Sequence, residues 1–114
     1  MAMALQEKRA FPRIKLRTPL IFKIRGLPQS TSAICDDISL SGAGFINNGF
    51  IRPGALVKLA INILSRTINP IARIAWSQPL SHSDRYRVGV EFLELDLSEK
   101  NYLSDYIHMQ TQGI

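Results

Sequence analysis

Two arginines four positions apart, Arg9 and Arg13, and a short polar run downstream, Asp37-Ile38-Ser39-Leu40-Ser41-Gly42, are the residues of this chain best suited to holding a ligand. Pro12 between the arginines disfavours a helix, so in extended chain they lie about 13 Å apart at roughly 3.3 Å per residue. That span lets them grip opposite ends of one molecule. A guanidinium fork matches phosphate oxygens and the O6 and N7 acceptors of guanine, and its flat face stacks on a base. In a strand, Asp37 and Ser39 project together while Ile38 points inward. Their oxygens complement the N1–H and N2–H₂ donors of a guanine edge. Gly42 lets the chain turn away or lets a ligand approach the backbone. The same six residues also describe an Asx or Ser turn that closes a hairpin.

Charge is distributed in keeping with an anionic ligand. Net charge is +5, and seven of the 14 Lys and Arg residues fall within residues 8–25, with no acid among them. Residues 91–105 carry five acids against Lys100 alone. A concentrated basic arm points to a phosphate-bearing partner, whether nucleotide, nucleic acid or membrane surface; the alternative is a solvated terminus. Cys35, the single cysteine, has no partner for a disulfide or a metal site and reads as a small buried apolar side chain. His82 and His108 show no zinc or triad spacing and read as surface residues, and no nucleophile with a plausible base stands out, so no enzyme, metal or cofactor is expected.

The elements that must position these groups read as β. At 114 residues the chain has room for one domain. Residues 1–17 lack a sustained period and read as a flexible basic arm, leaving residues 18–114 as the domain. Strands are expected over residues 18–25, 31–39, 44–46, 55–64, 66–76 and 86–93. In the second, Ile34 and Ile38 face the core with Asp36 an awkward member of that face. Pro70 marks a bulge or edge within the fifth. Arg52-Pro53-Gly54 reads as a type II turn. A helix over residues 98–110, capped by Ser98, presents Tyr102, Leu103, Tyr106 and Ile107 on one face. The fold class is therefore all-β with a C-terminal helix, a six-stranded antiparallel barrel closed or nearly so. No apolar run spans a bilayer and residues 1–8 do not have the order of a secretory signal, so a cytoplasmic protein is expected.

Arg9-Ala10-Phe11-Pro12-Arg13 and Asp37-Ile38-Ser39-Leu40-Ser41-Gly42, in this order and in this setting, resemble the two signatures of the PilZ domain family, an Arg-x-x-x-Arg arm and an Asp/Asn-x-Ser-x-x-Gly run. Further likenesses are the Pro53-Gly54 turn, Ala72-Arg73-Ile74-Ala75-Trp76 and Tyr86-Arg87-Val88-Gly89-Val90-Glu91-Phe92. The resemblance spans about residues 8–107 and implies a six-stranded barrel with a C-terminal helix that binds cyclic di-GMP. By position it implies that Arg9 and Arg13 contact phosphates and guanine, and that Asp37, Ser39 and Gly42 receive a guanine on the barrel surface. An arm that orders across its ligand would signal to an unidentified downstream protein.

Other residues stay open. Trp76 could stack on a base or fill the core or rim. Lys8 and Arg17 could add phosphate contacts, or Lys8 could reach a second ligand molecule, with solvated charge suiting Arg17 better; Arg73 could meet the ligand, though pairing with a neighbouring acid suits it better. The rival functions are a single-stranded nucleic-acid-binding barrel that uses the arm and Trp76, and a ligand-free interaction module of the same fold.

Overall fold

The computed structural model describes residues 11–112. Alternating apolar and polar residues build seven strands: β1 (Ile14–Ile24), β2 (Ser30–Ile38), β3 (Gly42–Asn47), β4 (Leu56–Ile63), β5 (Arg66–Ile68), β6 (Ile71–Pro79) and β7 (Tyr86–Glu94). One helix follows, α1 (Leu97–Gln112). All pairings are antiparallel, in the order β1-β2-β3-β7-β6-β4-β5, and β1 pairs again with β4. Six strands thus close into a barrel, while β5 extends β4 outside the closure. Closure leaves few unpaired strand edges, as the short spacing of the strands requires.

Inside the barrel, Leu20, Phe22, Phe45, Val57, Leu59, Ile61, Ile74, Val88 and Val90 are buried. Their alternation with exposed Lys58, Asn62 and Glu91 is that of sheets with one wet face. Leu103, Tyr106 and Ile107 of α1 join the same core. The helix is anchored on the β4–β5 end: the Tyr102 hydroxyl donates to the Ile63 carbonyl at 2.7 Å, and the Asn69 amide donates to Glu99 Oε1 at 2.8 Å. Among the described residues no helix is long and apolar enough to cross a membrane.

Several boundaries differ from the sequence expectation. β1 starts at Ile14, so residues 14–17 belong to the sheet and not to an arm. Ile14, Leu16, Leu20 and Phe22 do alternate, but Thr18 and Pro19 break the apolar pattern between them. Thr18 satisfies its hydroxyl on the Asn62 carbonyl at 2.7 Å, and Pro19 precedes the point where β4 pairing begins at Leu20. Pro70 separates two strands, β5 and β6, because it cannot donate to a ladder; its own carbonyl accepts from the Leu59 amide at 3.0 Å. The helix cap is Asp96 and not Ser98. Asp96 Oδ2 accepts from the Ser98 amide at 3.1 Å and the Ser98 hydroxyl at 2.6 Å, and the Asp96 carbonyl accepts the Lys100 amide.

Candidate functional site

The second strand decides what the site looks like. Its register against β3 shifts between Cys35 and Asp37, so Asp36 is an extra residue in β2. Cys35 and Ile38 point into the core, Ile34 is only half-buried, and Asp36 and Asp37 are neighbours on the outside. The bulge resolves the awkward placement expected for Asp36: it is not on the core face at all.

Four charged side chains meet there. Arg13 donates to Asp37 as a fork, Nε to Oδ2 at 3.3 Å and Nη2 to Oδ1 at 3.1 Å. Arg87 of β7 makes a second fork on Asp36, at 3.2 and 2.9 Å, and its Nη2 also reaches Asp37 Oδ2 at 3.4 Å. Burial works to raise the Asp37 carboxyl, but Arg13 and then Arg87 outweigh it and hold it below its ordinary value. The same contacts raise Arg87, with the bond to Asp36 the largest cause. Asp37 is ionised at neutral pH and only 17% exposed in its side chain. Nearby Cys35 is the opposite case: burial, then the charges of Asp37 and Asp36, push its thiol up to about 12.

Two glycines make room for this cluster. Gly44 pairs with Asp37 on one side and Gly89 on the other, and Gly89 pairs with Trp76. Asp37, Gly44, Gly89 and Trp76 therefore form one row across four strands. A Cβ on Gly44 would lie 2.6 Å from Asp37 Oδ1 and 3.1 Å from Arg87 Nη2, and one on Gly89 would overlap the Trp76 ring. The carboxylate, the guanidinium and the indole thus lie down over bare backbone. Trp76 is 37% exposed, with the Arg87 guanidinium 5.9 Å from its ring centroid. The result is a low external surface with anionic, cationic and aromatic groups side by side.

Ser39 and Gly42 shape the turn beneath it. Ser39 is 0% exposed and lies beyond the end of β2, so it does not stand beside Asp37 as strand spacing had implied. Its amide donates to the Gly42 carbonyl at 2.8 Å, and its hydroxyl accepts from the Ser41 amide and meets the Ser41 hydroxyl, both at 3.1 Å. A Cβ on Gly42 would overlap the Val90 carbonyl, so glycine is required where β3 meets β7. Arg73 pairs with Glu91 at 2.7 Å. Arg17 and His108 are exposed, as is His82, a loop residue at φ 58. Arg9 and Lys8 lie outside the described residues.

Asp36, Gly44, Arg87 and Gly89 were missed as site residues by sequence reasoning. The bulge hid Asp36, and Arg87 and Gly89 read only as the wet side of β7. The alternation Gly42-Ala43-Gly44 opposite a second glycine was the available signal. Among the described residues no group of three or more His, Cys, Asp or Glu is placed to hold a metal ion.

The family model of the PilZ domain matches residues 7–108. The chain belongs to the PilZ domain family. A search of curated proteins gave no match. Among solved structures, the fold is similar to the Bacillus subtilis inhibitor of motility MotI/DgrA, with TM-score 0.80 and 14% identity over 92% of this chain and 52% of that one. It is also similar to the PilZ domain of Escherichia coli YcgR with c-di-GMP, with TM-score 0.74 and 14% identity over 93% of each chain. Borreliella burgdorferi PlzA in complex with c-di-GMP gives TM-score 0.66 and 14% identity over 93% of this chain and 43% of that one. This PilZ chain thus spans about half the length of MotI/DgrA and nearly all of the isolated YcgR domain.

Proposed function

We propose that this PilZ chain is a non-catalytic receptor for cyclic di-GMP. One observation supports the proposal: Arg13, from the arginine signature, already forks onto Asp37, from the second signature, so residues of the two motifs meet in the fold. Likeness to YcgR and PlzA, whose structures are complexes with c-di-GMP, supports it. The Asp37 carboxylate has about four acceptor positions, and Arg13 and Arg87 use only part of them. A guanine edge donates N1–H and N2–H₂ to Asp37, while Arg13 turns from the carboxylate to the ligand's phosphates and base and Arg9 takes the other end. Arg87 stays on Asp36 and keeps the carboxylates in place. Ser39 and Gly42 act through the turn that holds this wall, and Trp76 offers an aromatic edge beside Arg87.

Moving Arg13 off Asp37 changes the surface at the start of β1, and a downstream protein in the cytoplasm reads that change. A single-stranded nucleic acid fits less well, because Arg87, the cation beside Trp76, is already engaged with Asp36 and Asp37.

Isothermal titration with cyclic di-GMP tests the assignment. Charge-assisted hydrogen bonds contribute about 1.5–3 kcal/mol each, so Arg9→Ala and Arg13→Ala should each weaken binding roughly tenfold to a hundredfold. Unchanged affinity in both variants, or displacement of the dinucleotide by single-stranded RNA, overturns it.

A further inference from the structure

We propose that the outer face of β1 and β4 around Lys23, Arg25 and Lys58 is a docking groove for an acidic peptide segment of a partner protein. It stands apart from the cyclic dinucleotide site and shares no residue with it. Lys23 and Lys58 are direct register partners across the β1–β4 seam. Like charges in that position repel and destabilise a sheet, whereas an anion seated between them converts the repulsion into two attractions. Arg25 follows two residues along, with its amide fixed on the Leu56 carbonyl at 2.8 Å.

The three cations line a cavity of about 440 Å³ whose apolar lining includes Leu56 and Ile71, and no acid lines it. Among the described residues none of the three has an ion-pair partner. Glu94 continues the row beyond Ile71. It stands two strand spacings from Lys58, about 10 Å between backbones, and no ion pair joins the two.

The next outward row along the strands pairs Ile21, 47% exposed, with Ala60. Same-face rows in a strand are about 7 Å apart, the spacing of residues i and i+2 in an extended peptide. A segment with a carboxylate at one position and an apolar residue two further on therefore seats the first between the lysines and the second on Ile21 and Ala60. The cations sit in a concavity, which admits a chain and not a bilayer surface. The lining offers no aromatic ring for a nucleic-acid base to stack on.

The test is fluorescence anisotropy of a labelled peptide of alternating glutamate and leucine, titrated with the full chain at low and physiological salt. Wild type should bind saturably, more weakly as salt rises. The double variant K23E/K58E should bind about tenfold more weakly or worse, K23Q/K58Q should fall between, and K100E on α1 should match wild type. Circular dichroism checks folding; if the double reversal fails to fold, the neutral pair carries the comparison. In the absence of peptide, Lys58→Glu alone should melt no lower than wild type, because it removes the cross-strand repulsion. Equal peptide affinity in wild type and K23Q/K58Q overturns the proposal. So does binding of polyuridylate or of phosphatidylserine vesicles in preference to the peptide.

Discussion

Gly44 has the Asp37 carboxylate and the Arg87 guanidinium directly above it, at 2.6 and 3.1 Å from where a Cβ would stand. An added methyl must displace the Asp37 carboxylate and crowd the Arg87 guanidinium, disturbing the contacts that join Asp37 to Arg13 and Arg87. Gly44→Ala should therefore lower affinity for cyclic di-GMP about as much as losing Asp37 itself, while overpacking costs about 1–3 kcal/mol of stability. Calorimetry and a urea melt on the same variant separate the two effects; binding retained at wild-type strength would show that the carboxylate is not the acceptor. At this scale the sequence was informative about residue type and less so about direction. Arg13 and Asp37 were singled out by type and spacing, and in the structure they touch. Ser39 was not legible, because strand periodicity ends at Ile38 and a buried turn hydroxyl looks the same in one dimension as an exposed one.

Elements were legible where apolar alternation ran without interruption, as in β4 and β7, and obscure where a polar residue had a local reason to be there. Thr18 and Pro19 hid the first four residues of β1, and the β2 bulge put Cys35 on the core face in place of Ile34, with Ile38 there as its spacing implied. At α1 the apolar face was read from spacing alone, but its first residue was not, since Asp96, Ser98 and Glu99 all suit a helix start. Asp96 Oδ2 accepts from both the amide and the hydroxyl of Ser98. Asp96→Ala should lower the melting temperature by a few degrees, and Ser98→Ala by less, with α1 fraying first from its amino end. Hydrogen exchange at the amides of the first helical turn would register the difference, and a larger loss of protection in Ser98→Ala than in Asp96→Ala would return the cap to Ser98.

For the whole molecule, the Arg13–Asp37–Arg87–Asp36 cluster connects the start of β1, the bulge of β2 and the middle of β7. Asp37 has a folded-state value below the ordinary 3.8. A lowered carboxylate stabilises the native state at every pH above its unfolded value, and that contribution disappears as pH falls through the folded value. Stability should therefore be flat with respect to Asp37 from neutral pH down to about 4 and drop below it. Asp37→Asn should flatten this acid limb, as followed by urea midpoints between neutral and acid pH. A limb of unchanged slope would assign acid sensitivity to other carboxylates.

The lone cysteine has a practical corollary. Cys35 is sealed in the core with its thiol pushed up to about 12, so at neutral pH it is both unreachable and unionised. The native chain is consequently silent toward maleimide dyes without any cysteine being removed. A single cysteine engineered beside Arg13, and another beside Lys23 in a separate preparation, would each take one fluorophore at a known place. Those two labelled proteins would report independently on dinucleotide and on peptide, in the same unaltered barrel.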